Sequence, residues 1–100
     1  MSDIPAVATG QDRPPAWVIL GENVYRARVN KRPGWSRQKL ETLSGVNAST
    51  IKEIEACRDP DRPPYSTGSQ IIEQLSRALG ITPEVLYSWP PRAGDWPTPP

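Results

Sequence analysis

Side chains suited to hydrogen bonding with phosphates or base edges fall in two places along this 100-residue chain. The first is the run of Arg37, Gln38 and Lys39, and the second is the segment 47–53, whose sequence is Asn-Ala-Ser-Thr-Ile-Lys-Glu. Lys suits guanine or phosphate, Ser donates or accepts, the Ala methyl can touch a thymine methyl, and Glu accepts from cytosine N4. Residues of these types are suited to contact with double-stranded DNA.

No set of residues in the sequence is suited to catalysis or to metal binding. The chain has no His and no Gly-rich phosphate loop, and its single thiol, Cys57, has no imidazole to activate it. A lone Cys also excludes an intrachain disulfide and leaves only carboxylates for a structural zinc site, which zinc disfavours. We therefore expect neither an enzyme nor a cofactor.

The two polar clusters are predicted to lie on two short helices joined by a sharp turn. Ser36 and Asn47 are good N-caps, and Gly45 between them can adopt the left-handed conformation that ends a helix. Four apolar residues at helical spacing are predicted to form the inward face, namely Leu40, Leu43, Ile51 and Ile54. This geometry places the second helix of such a pair in a DNA major groove.

The segment 36–55 resembles the helix-turn-helix of the Cro and phage-repressor type, also called the xenobiotic-response-element family. The resemblance is carried by Leu43-Ser44-Gly45-Val46, Ser49-Thr50-Ile51 and Ile54-Glu55, with further similarity at Leu20-Gly21-Glu22 and Arg77-Ala78-Leu79-Gly80-Ile81. It covers roughly residues 17–88. It implies an all-α, compact five-helix bundle of the lambda-repressor-like type that binds operator DNA as a homodimer, represses or otherwise regulates transcription, and reads bases from the second helix of the pair.

The remaining chain is predicted to supply three further helices and two tails. We expect a flexible arm over 1–16, a domain over 17–89 and a Pro-rich tail over 90–100. The first helix is predicted from about Val18 to Asn30 or Lys31, the fourth to open with a capping box at Thr67–Gln70, and a short fifth to follow the Thr82 cap. The inward residues of these three helices are predicted to be Leu20, Val24, Ala27, Ile71, Ile72, Leu75, Leu79, Val85 and Leu86. Trp17 and Trp35 are expected in the core.

A Pro-rich connection of about a dozen residues, 57–68, follows the segment predicted to meet DNA. Arg58, Arg62 and Tyr65 within it are placed to reach the DNA backbone, although a plain solvated loop explains the composition equally well. The complete set of residues predicted to contact DNA is Arg37, Gln38, Lys39, Asn47, Ala48, Ser49, Thr50, Lys52, Glu53, Arg58 and Arg62.

The charge distribution leaves a second function open. The net charge is only +1, and the acids Glu41, Glu53 and Glu55 lie in or near the segment predicted to meet phosphate, which opposes association with DNA. The alternative is an adaptor or antitoxin-like module whose helices bind another protein. The sequence has no apolar run long enough to cross a membrane and no signal peptide, so we expect a cytoplasmic protein without membrane contact.

Overall fold

A computed structural model describes residues 13–31, 33–59 and 61–91, and this part of the chain forms an all-helical bundle without strands. The helices are α1 (Ala16–Val29), α2 (Arg37–Ser44), α3 (Ala48–Ala56), α4 (Ser69–Leu79) and α5 (Pro83–Leu86). The predicted five-helix, all-α fold is thereby confirmed. Most of the predicted arm and tail, residues 1–12 and 92–100, lies outside the described residues.

The core forms between α1, α2, α3 and α4. α1 packs on α3, α2 packs on both α3 and α4, and α5 closes the end of the bundle between α1 and α4. The apolar cluster at the centre consists of Leu20, Val24, Ala27, Leu40, Val46, Ile51, Ile54, Leu75, Leu79, Ile81, Val85 and Leu86. Trp35 is half-buried and packs against this cluster, as expected.

The bundle has one very close helix crossing, where α1 meets α3 at Gly21. A Cβ atom at this position would lie 2.4 Å from the backbone oxygen of Ile54. Such a distance is shorter than any tolerated non-bonded contact, so only glycine lets the two backbones approach this closely. The crossing fixes α3 against the rest of the domain.

Two residues expected in the core lie at the surface. Leu43 is 48% exposed and Trp17 is 39% exposed. Leu43 lies outside the buried face of α2, and near it the Gln74 side chain of α4 donates to the Ser44 backbone carbonyl oxygen at 3.3 Å. Trp17 lies at the edge of the buried stripe of α1, whose inward positions begin at Ile19.

The predicted helix boundaries differ from the structure at both ends of α1 and at the start of α4. α1 begins at Ala16 rather than Val18 and ends at Val29. The capping box predicted at Thr67–Gln70 does not form, because Gly68 occupies the N-cap position of α4 and no side chain caps that end. The predicted cap of α5 is confirmed, since the Thr82 side chain accepts from the Val85 amide. No described helix combines the length and the apolar character needed to cross a membrane.

Candidate nucleic-acid interface

The turn between α2 and α3 has the geometry that its sequence predicts. The Ser36 hydroxyl accepts from the Lys39 amide at 3.0 Å and begins α2, and Gly45 ends that helix with a φ of 81°. Asn47 then begins α3, because its side-chain oxygen accepts from the Ser49 amide at 2.8 Å. Val46 fills the corner and is buried. Three residues therefore separate the two helices, and the direction of α3 relative to α2 is fixed by capping and packing at both ends.

One face of α3 is buried and the opposite face is open. Ile51 and Ile54 point into the core, whereas Ser49, Lys52 and Glu53 are exposed; we call these three residues the outer face of α3. Ala48 and Thr50 flank this face and are half-buried. The structure thus brings together the polar residues of α3 that the sequence predicted to contact DNA.

The side chains at the start of α3 are already partly paired with each other. The Ser49 hydroxyl donates to the Asn47 side-chain oxygen, which also accepts from the Ser49 amide. With its proton committed, Ser49 presents oxygen lone pairs outward and suits a donor such as a base amino group. Asn47 serves chiefly as a helix cap.

A buried carboxylate on α3 holds the bundle together beneath the outer face. Glu55 is fully buried and receives two charge-assisted hydrogen bonds from Arg28 of α1, at 2.7 and 2.8 Å. Arg28 also donates to the Trp35 carbonyl oxygen at 2.7 Å. The expectation that Glu55 brings negative charge toward phosphate is therefore wrong, because its charge is compensated inside the protein. The role of Arg28 as the partner of Glu55 was not predicted from the sequence. The signal for it was its position four residues after the inward Val24, which places Arg28 on the same face of α1.

Arg37 at the start of α2 shares the same carboxylate. Its Nε donates to a Glu55 oxygen at 3.0 Å, while 39% of its side chain stays exposed. The described residues offer no acceptor to its two terminal nitrogens, which leaves them directed at solvent. Gln38 and Lys39 follow and are exposed. The N-terminus of α2 therefore carries two cations beside unpaired helix amides, an arrangement that favours an arriving anion.

The two arginines after α3 behave differently from each other. Arg58 stacks on the ring of Tyr25, with its guanidinium carbon 3.6 Å from the ring centroid, and donates to the Glu55 carbonyl oxygen at 2.9 Å. It is thus held against α1. Arg62 instead reaches back to the outer face of α3, where it forms an ion pair with Glu53 at 3.5 Å. Among the residues predicted in this connection, Arg62 joins the outer face and Arg58 does not.

The connection covers the C-terminal part of α3 and leaves a small cavity beneath it. The cavity has a volume of about 160 Å³ and is lined by Glu53, Cys57, Arg62, Pro63, Pro64 and Tyr65. Tyr65 packs against the core, and Cys57 is buried with its thiol near the Glu53 carbonyl oxygen. The connection is therefore attached to α3 and to the core at several points.

A second basic residue, two positions after the end of α1, supports the opposite end of the bundle. Lys31 is buried, donates to the Leu79 carbonyl oxygen at the end of α4 at 2.9 Å, and lies 4.9 Å from the centroid of the Trp35 ring. Burial lowers the pKa of Lys31 from its ordinary value of 10.5. Lys31 therefore stabilises the fold instead of contributing to a basic surface.

No family model, curated protein or solved structure matches this chain. The function is therefore inferred from the arrangement of α2, the turn and α3.

Proposed function

We propose that the protein is a sequence-specific, double-stranded-DNA-binding regulator of transcription, repressor-like in action, with α3 in the major groove and the start of α2 across the phosphate backbone. The observation that carries the proposal is the outer face of α3: Ser49, Lys52 and Glu53 are exposed together on a helix whose opposite face is fully packed.

The dimensions of α3 suit a major groove. An α-helix with its side chains is ~10–12 Å across, which fits the ~12 Å width of that groove, and the nine residues of α3 extend over about two and a half turns. The outer face offers an acceptor at Ser49, a cation at Lys52 and a carboxylate at Glu53. These groups differ in hydrogen-bonding character, so a given orientation in the groove favours some base pairs over others.

The electrostatics of this region favour DNA more than the composition indicates. Glu55 is compensated by Arg28 and Arg37, and Glu53 is paired with Arg62. The exposed amines of Lys39 and Lys52 remain to attract phosphates. A protein with a net charge of only +1 can therefore present a locally positive surface to DNA.

A homodimer on a two-fold operator completes the proposal. A recognition helix of this length contacts only a few base pairs, which is too little sequence information to select one site among many. Two copies on adjacent half-sites would double the number of base pairs that are read. A cytoplasmic location belongs to the same proposal.

The second candidate, an adaptor that binds another protein, is favoured by one observation. Leu43 is exposed at the end of α2, and Val29 at the end of α1 is 43% exposed. Exposed apolar side chains that form one contiguous patch mark surfaces that bind a protein partner. The adaptor would replace the DNA-binding proposal if duplex DNA does not bind.

Fluorescence anisotropy with a labelled random duplex across a salt series tests the proposal. We expect the wild-type affinity to fall steeply with salt, and Lys39→Ala to reduce the slope of log K against log [salt] by about one, because one phosphate contact is lost. Arg77→Ala is the matched control, since this exposed cation lies on α4 and is not among the residues proposed to meet DNA. Absence of wild-type binding at low salt, or equal effects of the two substitutions, would refute the proposal.

A further inference from the structure

The ion pair between Glu53 and Arg62 joins the outer face of α3 to the connection that follows it. Arg62 Nη2 lies 3.5 Å from Glu53 Oε1, and both side chains are about half exposed, at 49% and 51%. The two residues are nine positions apart, so the contact depends on the path of the connection and not on helical periodicity. Arg62, which lies outside α3, therefore contacts Glu53 on the outer face of that helix.

The path of the connection is constrained on both sides of Arg62. Before it, the Asp59 side chain accepts from the Asp61 amide at 2.9 Å, and the Asp59 carbonyl oxygen accepts from the Arg62 amide at 3.0 Å, which closes a turn. After it, two consecutive prolines restrict the backbone, and Tyr65 packs against the core. Arg62 is therefore presented to α3 from a fixed position.

The pairing occupies only half of the Glu53 carboxylate. Oε1 accepts from Arg62, and the described residues provide no donor to Oε2. A carboxylate oxygen without a partner at the surface of a recognition helix is suited to accept from the amino group of a base. In the major groove, cytosine N4 is the donor that Glu is known to accept from.

We propose that Glu53 selects cytosine at one position of the bound site and that Arg62 is a positioning residue that makes this selection effective. The inference rests on the proposed DNA-binding function and names the base that one residue of it reads. Arg62 acts in two ways. It restricts the rotamers of Glu53 so that Oε2 faces outward, and its charge offsets the repulsion between the carboxylate and nearby phosphates.

The weakness of the pair in the free protein is consistent with this role. An ion pair between two half-exposed side chains contributes little to folding, so its loss leaves the domain intact. The same pair becomes stronger when DNA excludes water around it, because the effective dielectric constant falls. Arg62 is thus expected to affect base preference while leaving stability nearly unchanged.

The test uses the full chain and a site selected from a random duplex pool by the wild type. Competition titrations with each base pair of that site replaced in turn give the base preference at every position. At one position the wild type should prefer cytosine by about 5- to 150-fold. We expect Glu53→Gln and Arg62→Gln each to reduce that preference to within a few-fold of unity, with all other positions unchanged, and the double variant to do no more than either.

The exposed pair between Arg77 and Glu73 on α4, at 3.3 Å, supplies the matched control. Arg77→Gln removes the same charge from a similar pair and should change no base preference. Arg62→Lys, which keeps the charge, should restore part of the preference.

Two results would overturn the inference while leaving the proposed function standing. In one, Glu53→Gln retains the full preference at every position. In the other, Arg62→Gln lowers affinity for all sites equally, which is the behaviour of an independent phosphate contact. Failure of the wild type to select any sequence would instead refute the proposed function, and the inference with it.

Discussion

Truncating the buried side chain of Glu55 to a methyl group should lower the free energy of unfolding more than most other single substitutions in this fold. Glu55→Ala removes an acceptor that is fully buried and that receives three hydrogen bonds, two from Arg28 and one from Arg37. The Arg28 guanidinium then stays almost fully buried with only the Trp35 carbonyl oxygen as a partner. An uncompensated buried charge is far more costly than a missing surface contact.

The expected loss can be worked out from these contacts. Removing one partner of a buried ion pair costs ~3–5 kcal/mol. Arg37 is 39% exposed and can be solvated by water, and Arg28 keeps one acceptor, so we expect the lower end, ~3 kcal/mol. A domain of this size has a free energy of unfolding of ~5–15 kcal/mol. The melting temperature should therefore fall by roughly 12–24 °C.

Urea denaturation followed by circular dichroism measures this loss through the transition midpoint and slope. Glu53→Ala is the matched control on the same helix, because its ion pair is exposed, and should cost less than ~1 kcal/mol. The double variant Arg28→Met with Glu55→Met should recover much of the loss, since no buried charge remains. A loss below ~1 kcal/mol for Glu55→Ala would refute the argument that the carboxylate compensates buried charge.

Three further substitutions and one control test the packing of the bundle by the same denaturation assay. Ile54→Ala should lower the free energy of unfolding by ~2–5 kcal/mol, because the side chain is 1% exposed at the centre of the core. A loss below ~1 kcal/mol would mean that the buried and exposed faces of α3 are wrongly assigned. Gly21→Ala should cost ~1–3 kcal/mol or more through its clash with the Ile54 backbone. Gly68→Ala, where a Cβ meets no atom within 4 Å, should cost less than ~1 kcal/mol, through the poorer N-cap alone; equal effects would contradict the close crossing. Lys31→Met should cost ~1–2 kcal/mol at neutral pH through the lost hydrogen bond. Burial lowers the pKa of Lys31 below 10.5, so at alkaline pH the unfolded chain binds more protons than the folded one. The difference in unfolding free energy between the wild type and Lys31→Met should therefore grow as the pH rises toward 10.5. A difference that stays constant with pH would contradict the lowered pKa.

Local signals in the sequence were sufficient to predict most of the fold. Caps at Ser36 and Asn47, the left-handed glycine at Gly45 and the apolar spacing of Ile51 and Ile54 each depend on neighbouring residues alone, and each is found in the structure. Leu43 was wrongly assigned to the core. Two apolar residues at i and i+3 do not determine which of them lies nearer the centre of the buried face of a short helix, because that depends on where α4 packs.

The arrangement of charges could not be predicted in the same way. Glu55 meets Arg28 across 27 residues, and Arg62 meets Glu53 along a Pro-rich connection, so both pairs depend on how distant segments are brought together. The outer face of α3 was predictable from helical periodicity, whereas the charge compensation of Glu53 and Glu55 was not. Because the two acids are paired, they oppose the approach of phosphate less than the sequence alone indicates, which favours the proposed DNA-binding function over the adaptor.

The most direct test of the central claim is an NMR titration of the 15N-labelled protein with a duplex selected from a random pool. We expect the largest amide shifts at the start of α2 and along α3, from Arg37 to Lys39 and from Asn47 to Glu53. The exposed residues of α4 around Glu73 and Arg77 should shift little. Shifts concentrated on α4 or at the ends of the bundle, or no shifts at saturating DNA, would contradict the assignment of α3 as the helix that meets DNA.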